Sequence, residues 1–235
     1  MAIKVSIVGA TGRMGTLARS VVEADPNLTL HSALGSMSSL EECIGADVIF
    51  DVTRLEVSQQ VVDFAITNSI SIVVGTSGWS QALLSALSSK LDANNSVVVI
   101  PNFSVGSMLA SRFAAEAAKY FESIEIVEAH HAKKLDSPSG TAIRTAEMIA
   151  ANRKGSASSS EDAARGQVVA GVPVHSLRLE GVSAKQDVFL GGDSELLTIS
   201  HETTSVNAYA HGIKLAVEFA ASNTGLHIGL ESVVK

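Results

Sequence analysis

Cysteine is almost missing from this chain: Cys43 is the single one among 235 residues, which excludes an internal disulfide and suits a reducing compartment. Its place in an apolar run marks it as a packed thiol rather than a nucleophile. Positive charge is also scarce. Seventeen Lys and Arg stand against 24 Asp and Glu, a net charge of −7, and the basic residues are scattered, so the chain lacks the clustered cations of a nucleic-acid surface. No apolar run reaches the ~18 residues that a membrane span needs, so no membrane association is expected. The N-terminus enters a strand pattern within three residues, which leaves no room for a signal peptide, and the cytoplasm is the expected location. No Cys or third His lies at ligand spacing near the paired histidines, so no metal site is expected. Internal repeats are absent too.

What is present is a chain that is 46% hydrophobic and 17% charged, enough to bury one large core or two small ones. Residues 3–8 form a short apolar run followed by Gly9-Ala10-Thr11-Gly12-Arg13-Met14-Gly15 and a helical pattern to residue 24. Strand, glycine turn and helix in that order let a backbone approach a pyrophosphate and aim a helix N-terminus at it. Further strands are expected at 28–34, 47–52, 71–75 and 96–100, with helices at 58–68 and 81–92. The alternation predicts a parallel, doubly wound α/β sheet, in which ligands bind beyond the C-terminal strand ends. Gly9 to Gly15, Asp51-Val52-Thr53, Gly75-Thr76-Ser77-Gly78 and Pro101-Asn102-Phe103-Ser104 all fall at such ends.

A helix at 108–121 and a strand at 124–128 lead into Glu128-Ala-His-His-Ala-Lys-Lys-Leu-Asp-Ser-Pro-Ser-Gly-Thr141, the stretch richest in reactive groups. Pro138-Ser139-Gly140-Thr141 predicts a helix start capped by Ser139, with the Gly140 and Thr141 N–H groups placed to hold a carboxylate. One helical turn through His130 and His131 would set His130 and Lys134 on the same side, so one small dianion could meet an imidazole and an ammonium together. The alternative is that the paired histidines are the polar end of a strand. Residues 155–162, small and polar, read as a mobile loop. Beyond them, strands at 174–180, 185–190 and 195–201 suggest an antiparallel meander and therefore a second domain. A helix at 208–222 and a strand at 227–230 close the chain.

The stretch from Glu128 to Ala142 resembles the signature of the dihydrodipicolinate reductase family, E-x-H-H-x-x-K-x-D-x-P-S-G-T-A. Gly75-Thr-Ser-Gly78 resembles that family's G-T-T-G loop, and Pro101-Asn-Phe-Ser-Val-Gly106 its P-N-F-S-x-G segment. The resemblance implies a Rossmann-like cofactor domain of residues 1–103 and 208–235, and a substrate domain of residues 104–207 with a mixed sheet and two helices. It implies reduction of 4-hydroxy-tetrahydrodipicolinate to tetrahydrodipicolinate by NADPH or NADH, on the diaminopimelate and lysine route. His130 and Lys134 match the family's proton-transfer residues, and His131, Gly140 and Thr141 its substrate carboxylate binders. Gly9, Ala10, Thr11, Gly12, Arg13 and Met14, with Gly75, Thr76, Ser77, Ile100, Pro101, Asn102 and Phe103, are the implied cofactor contacts. Association through the substrate-domain sheet, commonly as a homotetramer, is implied as well.

Three positions depart from the family pattern: Val52 in place of an aromatic residue, Val206 in place of Arg, and Gly35 where an acid often follows the second strand. The last bears on the cofactor. A carboxylate about 20 residues past the glycine loop binds the ribose 2′-hydroxyl and repels a 2′-phosphate. Gly35-Ser-Met-Ser38 has none, and Arg13 is a nearby cation, so NADPH is expected to serve at least as well as NADH. The rival readings are another nicotinamide-dependent reductase on the same fold and a nucleotide-sensing protein without chemistry. His-His-x-x-Lys argues against the first, and a sensor has little use for an acid and a base beside an anion site.

Overall fold

The computed structural model describes residues 1–92, 94–153 and 163–234, so the stretch 155–162 that reads as a mobile loop lies outside the described residues. The chain divides into two compact units, Met1–Val105 with Val206–Lys235, and Gly106–Ser205. The first opens with β1 (Ile3–Val8), α1 (Arg13–Ala24), β2 (Leu28–Leu34), β3 (Val48–Asp51), α2 (Leu55–Thr67), β4 (Ser71–Val74), α3 (Gln81–Ser88) and β5 (Ser96–Val99). β3, β4 and β5 are short and almost wholly apolar because helices cover both of their faces, so no alternation is required. α2 and α3 pack on one face through Val61, Val62, Ala65, Leu84 and Leu87 against Ile49, Ile72 and Val97.

The second unit holds α4 (Val105–Ala117), β6 (Ser123–His131), α5 (Gly140–Asn152), β7 (Gln167–Val169), β8 (Val172–Leu179), β9 (Ala184–Gly192) and β10 (Glu195–Thr203). Its five strands run in the order β10-β9-β6-β8-β7. The sheet is mixed, as expected, but the expected meander is not what forms. β8 and β9 are not neighbours: β6 lies between them, parallel to β8 and antiparallel to β9. The reason is the helix. β6, α5 and β8 make a strand-helix-strand crossover, which sets β8 parallel to β6 and leaves the other edge of β6 for β9. The short β7, absent from the sequence reading, turns back on β8 through Ala170 and Gly171, both at positive φ (48° and 82°).

The chain then returns through α6 (Ala210–Ser222) and β11 (Gly225–Ile228). β11 adds parallel to β5, giving a six-stranded parallel sheet of order β11-β5-β4-β3-β1-β2. Strand order reverses between β1 and β3, so their C-terminal ends frame the crevice where nucleotide ligands of such sheets bind. Two glycines make the first turn. Gly9 sits at φ 88° with its missing side chain against the Val52 carbonyl, and a Cβ on Gly15 would lie 2.2 Å from the Gly9 carbonyl oxygen. α1 can therefore start directly over the end of β1.

Candidate active site

In the first unit, the residues expected at the cofactor gather at the C-terminal ends of neighbouring strands. Gly9, Ala10, Thr11 and Gly12 make the turn after β1, and Arg13 and Met14 open α1. The N–H groups of Gly9 and Ala10 both donate to the Leu34 carbonyl at 3.0 Å, which fixes the turn beside the end of β2. Gly12 caps α1 without a side chain, so no side chain takes the first-turn donors of that helix. Gly75, Thr76 and Ser77 follow β4, while Ile100, Pro101, Asn102 and Phe103 follow β5. Asn102 Oδ1 accepts from the Ser104 N–H at 2.9 Å. Phe103 is buried, its ring 5.4 Å from that of Phe50.

A group the sequence reading left without a role ties these loops together. Asp51, at the end of β3, is fully buried and accepts from the hydroxyls of Thr53 (2.6 Å), Ser58 (2.5 Å) and Thr76 (2.8 Å). The Thr76 hydroxyl in turn accepts from the Thr53 N–H at 2.9 Å. Burial pushes the Asp51 carboxyl up and the three hydroxyls pull it back only in part. The loop after β4 is thereby pinned to the loop after β3. A glycine cradle, a helix N-terminus with no side-chain cap and two pinned loops at the strand switch fit a dinucleotide.

Gly35 begins the loop after β2, and a Cβ built on it would stand 3.6 Å from Thr11 Cγ2, so this loop adjoins the glycine turn. The nearest acids downstream are already engaged. Glu42 accepts from the Ser39 N–H at 3.1 Å, closing a capping box, and Glu41 accepts from the Ser39 hydroxyl.

In the second unit β6 runs on through His130 and His131, three residues past the expected end. The helical turn that would have aligned His130 with Lys134 does not form, because pairing with Arg178 and Leu179 of β8 holds both histidines in strand geometry. They therefore lie on opposite faces of the sheet. His130 shares the helix-covered face with Ile124, Ile126 and Glu128, whereas His131 is exposed on the other. A turn follows, with the Lys134 N–H donating to the His131 carbonyl at 3.0 Å. Lys134 Nζ is paired with both oxygens of Asp136 at 2.7 and 2.6 Å. α5 then starts as expected: Ser139 accepts from the Ala142 N–H at 3.2 Å. A Cβ on Gly140 would meet nothing within 4 Å, so the chain is unobstructed on that side of the helix start.

Two residues hold this stretch together, and the sequence reading gave neither a role. Glu128 has no solvent exposure. Its Oε2 accepts from His130 Nδ1 at 2.5 Å and from one Arg178 nitrogen at 3.0 Å, and its Oε1 from the other at 2.9 Å and from the Ser139 N–H at 3.2 Å. Arg178 also donates to the carbonyls of Asp136 (2.6 Å) and Leu177 (2.7 Å). Burial alone would raise the Glu128 carboxyl, but the hydrogen bonds from His130 and Arg178 outweigh it and bring it down to about 2. A signal for Arg178 existed: on β8 it continues the inward row Val172, Val174, Ser176, where a cation is out of place unless a buried anion faces it.

Among the described residues no group of three or more His, Cys, Asp and Glu could hold a metal ion, and no helix is long and apolar enough to cross a membrane. Residues 3–103 match the family model described as dihydrodipicolinate reductase, N-terminus, and residues 106–234 the one described as dihydrodipicolinate reductase, C-terminus. A 4-hydroxy-tetrahydrodipicolinate reductase of Clavibacter sepedonicus is 48% identical over 100% of this chain and 87% of its own length. One from Streptomyces griseus is 42% identical, covering 97% of this chain and 96% of its own. The dipicolinate-bound dihydrodipicolinate reductase of Paenisporosarcina sp. TG-14 superposes with a TM-score of 0.86 at 31% identity, over 100% of both chains. An aspartate semialdehyde dehydrogenase from Vibrio cholerae shares only the fold, at 10% identity and a TM-score of 0.56.

The depressed Glu128 carboxyl makes the stability of the fold depend on acid. Relative to an ordinary value of 4.5, its contribution is complete above pH 4.5 and is lost as pH falls through about 2. The displacement corresponds to about 3 kcal/mol. In urea titrations, the stability gap between the native protein and Glu128→Gln should narrow as pH falls from about 5 toward 2. A gap independent of pH over that interval would contradict an ionised, buried Glu128.

Proposed function

The chain belongs to the dihydrodipicolinate reductase family, and from that premise we propose how its residues perform the reaction. It is a nicotinamide-dependent reductase of the lysine and diaminopimelate route, converting 4-hydroxy-tetrahydrodipicolinate to tetrahydrodipicolinate and water. A bound reduced nicotinamide supplies the hydride to the ring. The protein has to hold two carboxylates and furnish the proton that balances that hydride.

The observation that carries the assignment of roles is the second unit's stretch from Glu128 to Thr141, where an imidazole, an ammonium and a helix start unobstructed at Gly140 follow one another within a few residues. Lys134 offers the substrate carboxylate the charge that Asp136 now occupies, and it donates the proton. His130 relays that proton. The N–H groups at the start of α5, from Gly140 and Thr141, receive the carboxylates; His131, at the end of β6 on the other sheet face, is given the same task on the family pattern alone. In the first unit the residues after β1, β4 and β5 hold the nucleotide: Gly9 to Met14 the pyrophosphate, Gly75 to Ser77 and Ile100 to Phe103 the nicotinamide end. The work is assigned to the cytoplasm, where the nicotinamide pool and this pathway's other small-molecule steps are expected.

General acid catalysis contributes typically about 10²–10⁴-fold. Lys134→Ala should lower kcat/KM by about 10²-fold or more through both parameters. His130→Gln should lower kcat by about tenfold or more, with nucleotide affinity little changed in each. Steady-state kinetics with freshly formed substrate measures this. Near-normal turnover in both folded variants would reduce the stretch to a structural turn.

NADPH serves at least as well as NADH on this reading. No acid stands at Gly35 to Ser38, the two nearest acids are committed to Ser39, and Arg13 stands at the start of α1. A kcat/KM ratio in favour of NADH by more than about tenfold, roughly 1.4 kcal/mol, would overturn it.

Four copies are proposed to associate through the sheet face of the second unit that no helix covers. That face presents Leu177 and Leu179 at 44% and 48% exposure on β8, and Leu196 at 66% on β10, apolar side chains that a contact between copies would cover. Sedimentation should give a tetramer mass for the native chain and a smaller species for Leu177→Glu; an unaltered mass in the variant places the contact elsewhere.

A further inference from the structure

Glu128 is fully buried and has no direct part in the reaction proposed above, yet it is the point to which the parts of that stretch are fastened. Its Oε2 holds the Nδ1 side of His130, and its Oε1 takes the N–H of Ser139, the residue that caps α5 and immediately precedes Gly140. Arg178, 50 residues further on, holds both Glu128 oxygens and the carbonyl of Asp136, the partner of Lys134. One buried anion and one guanidinium thus reach the imidazole, the main chain of the residue that pairs with Lys134, and the helix start.

We infer that Glu128 and Arg178 form a positioning pair that fixes the His130 ring and the α5 helix start relative to one another, so that carboxylate capture and proton transfer are set by a single buried contact. This rests on the roles proposed for His130 and Gly140 above. The pair reaches all its targets because of register. His130 is directly opposite Arg178 in the β6–β8 ladder, and Glu128 is opposite Ser176, so Arg178 meets Glu128 along the diagonal of one sheet face. On the other side of β6, Glu128 faces Gln186 of β9, whose amide donates to Thr145 of α5 at 3.0 Å. Among the described residues that face Glu128, Arg178 is the permanently charged cation. A carboxylate hydrogen-bonded to one imidazole nitrogen also presents the other nitrogen in a fixed direction, which a proton relay requires.

A positioning role differs from a merely structural one in what it couples. Glu128→Gln keeps the size of the side chain but replaces an acceptor oxygen by a donor, which opposes both the Arg178 fork and the Nδ1 proton of His130. It should lower kcat by about tenfold or more and raise the substrate KM by about tenfold, while nucleotide affinity stays within about twofold. Arg178→Lys should retain more of both parameters than Arg178→Met, because a charge remains although the fork is lost. Should single variants unfold, Glu128→Gln combined with Arg178→Met removes both charges together and keeps the pair measurable.

The deciding measurement is the cycle with His130→Gln. If Glu128 acts on kcat through His130, then Glu128→Gln should lower kcat by less than about twofold in the His130→Gln background, while the rise in substrate KM persists through Ser139 and the helix start. Multiplication of the two kcat losses, or a Glu128→Gln protein with unchanged kcat and KM, would overturn the inference. Failure of the underlying reading is distinguishable, because it would show as near-normal kcat in His130→Gln itself.

Discussion

A carboxylate removed entirely from water is tolerable only if the fold supplies donors for it, and this requirement at Glu128 constrains much of the second unit. Four donors arrive from three different places: His130 on the same strand, two nitrogens of Arg178 on β8, and the Ser139 N–H at the cap of α5. None of them is interchangeable. Removing any one leaves a buried charge partly uncompensated, so the strand pairing, the turn after His131 and the start of α5 must form together.

The topology makes this convergence possible. A meander would have placed β9, not β6, beside β8, and Arg178 would then face a different row of side chains. The crossover through α5 places β8 parallel to β6, so the ends of both strands and the start of the intervening helix lie at one edge of the sheet. The first unit uses a comparable device with weaker groups. Buried Asp51 gathers three hydroxyls from successive segments and pins the loop after β4 to the loop after β3. In both units a buried acid on a strand organises residues assigned to ligands.

The sequence was most legible where one local rule decides the outcome. β1 and β2 run over the residues that periodicity marked, and Ser139 caps α5 as its place after Pro138 suggests. The glycine turn needed only its spacing and the strand before it. Legibility failed where partners far apart in the chain decide. His130 and His131 could be read as a turn or as a strand, and it is pairing with residues near position 178 that selects the strand. The order of the second sheet depends on which edge of β6 each later strand takes, which strand patterns do not encode. β7 is only three residues long, below the length at which alternation is informative. Arg178 could be marked only as a cation on an inward row, because its meaning lies in a carboxylate 50 positions earlier.

The central claim is that Glu128 is an anion accepting a hydrogen bond from His130 Nδ1–H inside the folded protein. Nitrogen-15 NMR of histidine-labelled protein at neutral pH observes that proton directly. A protonated Nδ1 on His130, with a downfield exchangeable proton protected from solvent, is the predicted result. An unprotonated Nδ1 on His130, or a ring whose two nitrogens exchange freely with water, would contradict it.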